Sequence, residues 1–265
     1  MSDAPSPTDD LMNDVQQALM NQDPAGCRAA MQRVEAALRD DPDNRLLRNA
    51  LGCLCLELGL QARAIEIFRD LLEANPGDSE IANNLGYSLL NVGRFAEAIE
   101  VFRAVLDSKP DDAEAMNNLG LALGYDGRTD EAVNVFHRLL SLYPDNPQAL
   151  NNLGCALRAA GKNAEAIKQF RRAIEIDPHD VEAFNNLACT LKSAGRMQEA
   201  IEMLEVACQL DPDNSLTHYN LGLCHYQNGE TKKAVDRFEQ YLESPGDHYY
   251  AEQVRQWIDR LREET

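Results

Sequence analysis

The residues best suited by type and spacing to do chemistry are asparagines. Asn83-Asn84 recurs as Asn117-Asn118, Asn151-Asn152 and Asn185-Asn186, each 34 residues after the last. Asn49-Ala50 stands one step earlier and Tyr219-Asn220 one step later. Ten of the twelve positions in these two columns are asparagine, a residue with only mediocre helix propensity. An amide side chain carries one acceptor and two donors, the complement of a peptide C=O and N–H. A row of such amides is suited to holding a polypeptide backbone. The alternative is that the same amides bond one another between neighbouring repeats.

Other chemistries are weaker. The seven cysteines, at 27, 53, 55, 155, 189, 208 and 224, are odd in number and sit among apolar, helix-forming neighbours. That fits free thiols in a reducing, cytoplasmic compartment better than a disulfide framework. Cys53 and Cys55 are two apart and face apart on a helix. His218, Cys224 and His225 read as packing residues rather than metal ligands. There is no Gly-rich phosphate loop, nucleophile elbow or Ser/His/Asp arrangement. The expectation is a non-enzymatic chain with no cofactor and no metal.

Six phased columns show what positions the amides. Leu-Gly or Leu-Ala follows each asparagine column, and glycine returns at 59, 93, 127, 161, 195 and 229. Alanine returns at 64, 98, 132, 166, 200 and 234, each followed by Ile or Val. Four residues past the alanines stand Phe68, Phe102, Phe136, Phe170, Leu204 and Phe238, and prolines close the units from Pro42 to Pro212. Within one unit, Ile81, Leu85, Leu89 and Leu90 have helical spacing. Gly93 permits a helix end, and Ala98, Ile99, Phe102, Val105 and Leu106 then share a second helical face. Pro110 stops that helix. Gly124 and Gly127 interrupt the first helix of the 113–146 unit, which is therefore expected to be the softest.

This pattern resembles the tetratricopeptide repeat, a 34-residue helix–turn–helix. The units are most similar to those of the superhelical array of O-GlcNAc transferase. The resemblance implies an all-α, right-handed superhelical α-solenoid. It reads as a disordered tail at 1–10, a degenerate unit at 11–44, and six units at 45–78, 79–112, 113–146, 147–180, 181–214 and 215–248. A capping helix follows at 249–265, carrying Tyr250, Val254, Trp257, Ile258 and Leu261, with Pro245-Gly246 as the turn before it. The lone Trp257 is expected to pack on the last unit.

The resemblance also implies that the first helix of each unit lines a concave groove. Counted from Arg45, the sixth position of each unit then supplies Asn84, Asn118, Asn152, Asn186 and Asn220 as backbone-gripping residues. The fifth position adds Asn83, Asn117 and Asn151. Neighbouring helices pack ~10 Å apart, which three residues of extended chain also span. Tyr87, Leu121, Arg158 and Lys192 are the groove residues that would read partner side chains. The carboxylate clamp of chaperone-binding relatives is missing, because Glu80 and Glu114 stand where it needs lysine.

Of the 265 residues, 44 are Asp or Glu and 25 are Lys or Arg, a formal net charge of −19. That disfavours nucleic acid and anionic membrane surfaces. No run of ~18 apolar residues suits membrane insertion. The first ten residues have no basic or apolar region of a secretory signal. The partner is expected to be a protein or peptide segment held by a scaffold or adaptor. Two alternatives stand beside it: a substrate-targeting subunit of a separate enzyme, and a self-assembling homo-oligomer.

Overall fold

A computed structural model of the chain describes residues 7–245 and 249–263. Among these residues the regular elements are all α-helices. The chain forms two compact units, residues 1–128 and 129–265. The first holds α1 (Pro7–Met20), α2 (Pro24–Asp40), α3 (Arg45–Glu57), α4 (Gln61–Ala74), α5 (Ser79–Asn91), α6 (Phe95–Ser108) and α7 (Ala113–Tyr125). The second holds α8 (Thr129–Leu142), α9 (Pro147–Ala159), α10 (Asn163–Ile176), α11 (Val181–Ser193) and α12 (Met197–Leu210). It ends with α13 (Ser215–Gln227), α14 (Thr231–Glu243) and α15 (Ala251–Glu263). No helix among the described residues is long and apolar enough to cross a membrane.

Helix α1 already begins at Pro7, so the tail expected over 1–10 is helical at Pro7–Asp10. Proline at a first helical position and acidic Asp9 and Asp10 in the first turn are both favourable there. The rest of that tail, Met1–Ser6, and Gly246 of the expected turn lie outside the described residues.

A capping column starts the first helix of each pair from α3 to α13. Asn44, Asp78, Asp112, Asn146, Asp180 and Asn214 each accept the backbone N–H three residues on, at 2.9–3.3 Å. This satisfies one of the orphan donors of a helix N-terminus. Helices α4, α6, α10, α12 and α14 begin without such a side-chain bond, so packing holds them. Gly127, expected to interrupt α7, instead ends it with φ at +80°, in register with the other repeat-closing glycines. Only Gly124 lies inside the helix.

Four of the helix pairs are set by a ring on a glycine. A Cβ added to Gly52, Gly86, Gly154 or Gly222 would lie 2.4–2.6 Å from the ring of Phe68, Phe102, Phe170 or Phe238 respectively. Those rings are fully buried. The 181–214 repeat solves the same space differently, with buried Ala188 in the glycine column and Leu204 in the phenylalanine column.

Packing between pairs is asymmetric. In the first unit α1, α3, α5 and α7 touch in succession, whereas α2, α4 and α6 do not touch one another. In the second unit α9, α11 and α13 touch in the same way. The first helices of the pairs are therefore the closer-packed layer, and they carry the asparagine columns. At the C-terminal end, Val254, Ile258 and Leu261 of α15 bury against Phe238 and Tyr241. Trp257 stacks with Tyr219 at 6.5 Å and Tyr226 at 6.4 Å, the packing role expected of it.

Three predictions test this construction by thermal or urea unfolding. Gly154→Ala drives a methyl into Phe170 and should cost about 1–3 kcal/mol, and adding Phe170→Leu should recover much of the loss. Gly124→Ala, where a Cβ meets nothing within 4 Å, should stabilise by up to about 1 kcal/mol. Gly127→Ala should destabilise, because its backbone is left-handed.

Candidate functional site

The inner layer shows how the asparagines are used. Asn84 Nδ2 donates to Asn49 Oδ1 at 3.5 Å, Asn186 Nδ2 to Asn151 Oδ1 at 3.2 Å, and Asn220 Nδ2 to Asn185 Oδ1 at 3.1 Å. In all three, the sixth position of one repeat donates to the fifth position of the repeat before it. The fifth-position amides carry the link onward. Asn49 Nδ2 donates to Glu80 Oε1 at 3.2 Å, Asn151 Nδ2 to Glu182 Oε1 at 3.1 Å, and Asn185 Nδ2 to Thr217 Oγ1 at 2.7 Å. Asn185 Nδ2 also donates to the Val181 carbonyl at 3.0 Å.

The two columns therefore differ. Asn83, Asn151 and Asn185 are buried, while Asn84, Asn118, Asn152 and Asn186 are half-buried, as is Asn117. Asn84 and Asn186 use an N–H on the neighbouring repeat and retain Oδ1, an acceptor for an incoming N–H. Asn220 departs from its column: it is only 7% exposed, so its amide serves the fold.

The ladder breaks between α5 and α7. Asn83 is 5% exposed, and its Oδ1 is buried with no hydrogen-bond partner. Asn118, which by register would donate to it, makes no side-chain hydrogen bond among the described residues. Asn118 instead lines an open cleft of about 330 Å³ with Tyr87, Leu90, Asn91, Phe95, Leu121 and Tyr125. The Phe95 and Tyr125 rings stack with centroids 5.5 Å apart. Three expected site residues, Tyr87, Asn118 and Leu121, thus meet in one place.

Phe95 was not among the expected site residues, because it begins a second helix. Its column does carry a signal: Gln61, Thr129, Asn163 and Thr231 are polar there, Met197 is unbranched, and Phe95 is its one aromatic residue. Arg158 and Lys192 lie half-buried on the inner helices α9 and α11 of the second unit.

The thiols whose titration is shifted are all pushed toward the protonated form. Burial pushes the Cys53 and Cys224 thiols up to about 11, so both stay protonated at neutral pH. Burial also raises Cys155, against the opposing influence of Arg158. The histidines are held by the fold. His218 Nε2 lies 2.7 Å from the Pro212 carbonyl, and His225 Nδ1 lies 2.6 Å from Glu230 Oε2. Among the described residues, no group of three or more His, Cys, Asp or Glu side chains could hold a metal.

Paired helices at a 34-residue step, with successive first helices in contact within each unit, define a helical-repeat protein-interaction module. The comparisons agree. One tetratricopeptide repeat model matches residues 26–79 and 120–181, and another matches 62–119 and 157–207. A TPR repeat model matches 190–229, and a further tetratricopeptide repeat model matches 217–246. The chain belongs to the tetratricopeptide repeat family.

Among curated proteins, none matches its sequence. Solved structures do. A tetratricopeptide repeat protein from Parabacteroides merdae superposes with a TM-score of 0.75 at 17% identity, covering 96% of this chain and 98% of its own. MamA from Desulfovibrio magneticus gives 0.56 at 24% identity, over 62% and 93%. YrrB, described as a TPR protein with an unusual peptide-binding site, gives 0.52 at 22% identity, over 72% and 99%.

The ladder makes a differential prediction. Asn151→Ala removes a donor to Glu182 and the acceptor of Asn186, and should cost about 1–3 kcal/mol in urea unfolding. Asn118→Ala breaks no such link and should stay within about 0.5 kcal/mol of wild type.

Proposed function

We propose that this protein is a non-enzymatic adaptor whose inner helices hold an extended segment of a partner protein. On this reading the chain is seven repeats, 11–44 and then six units to 248, closed by the helix after 249. The observation that carries it is the half-buried sixth-position amide of the first helices, with its Oδ1 unengaged at Asn84 in the first unit and at Asn186 in the second. Where such a carbonyl is unengaged it can take an N–H of an extended chain, which covers one repeat spacing in roughly three residues. The neighbouring-repeat bond holds the amide in place, so little side-chain entropy is lost when a ligand arrives. Arg158 and Lys192 on one stretch, and Tyr87 and Leu121 on another, would read the partner's side chains. Seven free thiols support a reducing, cytoplasmic compartment.

The test is selection of peptides from a displayed library on the full chain, followed by calorimetry. Selected peptides should lose about tenfold or more in affinity on combined Asn84→Ala and Asn118→Ala substitution. Far-UV circular dichroism should be unchanged. Affinity that survives both substitutions in a folded variant would sink the reading.

A further inference from the structure

We propose that the cleft at Tyr87, Phe95 and Tyr125 receives a cationic side chain, arginine above all, from a basic extended segment of the partner. The proposal rests on the peptide-binding reading above and names the chemistry of its ligand.

The first observation is the wall. Tyr87 is 51% exposed and Tyr125 66% exposed, and with Phe95 they border one cleft. The faces of such rings are electron-rich and attract a cation placed over them. The second is the floor and the edge. Leu90 and Leu121 offer apolar surface for the methylene stem of a long cationic side chain. Asn91 and Asn118 offer amide oxygens, and neither has a side-chain hydrogen bond among the described residues. A guanidinium is planar, stacks on aromatic faces and presents N–H groups at its rim. An aliphatic occupant would cover both amides and give them no partner, which is costly.

The third observation is charge. The seven lining residues include no ionisable cation or carboxylate. The unit that carries them is acidic in composition: residues 1–128 contain 22 Asp and Glu against 11 Lys and Arg. Glu80 and Glu114 stand seven residues before Tyr87 and Leu121 on α5 and α7. That is about two turns along the same helix faces, or ~10 Å. Glu114 is exposed and has no ion-pair partner among the described residues. The cation next to Phe95 in sequence, Arg94, is already engaged: its Nε and Nη2 donate to Glu97 at 2.6 and 2.7 Å. The fourth is clearance. Gly124 carries no side chain where Leu56, Arg158, Lys192 and Tyr226 stand in other repeats. A seated arginine would therefore meet rings on its faces and amide oxygens at its edge. A second basic residue about three positions along an extended chain would reach Glu80 or Glu114.

The test is a two-dimensional NMR titration of the full chain with the blocked nonapeptide GSGSRSGSG. Its counterparts carry citrulline or leucine at the central position. The arginine peptide should bind about fivefold or more tightly than either counterpart. Its shifts should centre on Tyr87, Phe95, Asn118 and Tyr125. The preference should shrink on going from about 50 to about 300 mM salt. It should vanish in a Tyr87→Leu/Tyr125→Leu variant, whose exposed substitutions leave the fold intact.

Equal or tighter binding of the citrulline or leucine peptide would overturn the proposal. So would shifts centred elsewhere, or no binding of the arginine peptide up to about 5 mM. The two readings fail separately. A library-selected peptide that loses affinity on Asn84→Ala and Asn118→Ala but not on Tyr87→Leu/Tyr125→Leu keeps the adaptor and removes the cation slot. Insensitivity to the asparagine substitutions removes the adaptor reading itself.

Discussion

The contact between a phenylalanine ring and a glycine, made in the 45–78, 79–112, 147–180 and 215–248 pairs, is the constraint on which the rest depends. Gly86 meets Phe102 so closely that even a methyl group would overlap the ring. That approach fixes how far apart the two helices of a pair lie, and protein interiors tolerate little change in such a gap. Once the pairs share one thickness, successive first helices come to a common spacing. Only then can an amide on one repeat reach the amide of the repeat before it. The 181–214 repeat supports the argument from the other side, because the ring shrinks to Leu204 where the glycine grows to Ala188. The summed volume is kept while its division changes, and the Asn186–Asn151 and Asn220–Asn185 links on either side survive.

Much of this was legible in the sequence because every repeat poses the same packing problem and answers it with the same residue types. The glycine, alanine, phenylalanine and proline columns state the helices, their ends and their close contacts. The capping column from Asn44 to Asn214 is equally periodic. It hides because Asp and Asn alternate there and because polar residues are expected in loops anyway. Gly124 and Gly127 look alike as letters and differ in backbone. One lies in a helix interior and the other in a left-handed closing turn, a distinction that register with Gly93 and Gly161 already contains.

The candidate site was less legible, for a definite reason. Sequence gives the type of a side chain at a column but not its partner, and an amide is as good a link between repeats as a grip on a ligand. Asn220 and Asn84 occupy the same column, yet one is buried and the other half-exposed, because the environment of the last repeat differs from that of an interior one. Phe95 shows the complementary limit. It belongs to a second helix, outside any column expected to face a ligand, and reaches the cleft only because it opens α6 beside the end of α5.

The break in the ladder is the most informative departure from the repeat. Between α5 and α7 the link is absent, Asn83 Oδ1 is buried without a donor, an exposed helix interior carries glycine, and large rings stand in solvent. Each of these lowers local stability, and natural sequences tend to break their own rules together where something else is selected. A strictly periodic ladder would leave no position on the inner layer different from the others, so a ligand could slide by one repeat at little cost. An irregular step such as the one between α5 and α7 removes that degeneracy. In the proposed adaptor it would supply a place where side chains rather than backbone decide the fit, and so give the segment a register.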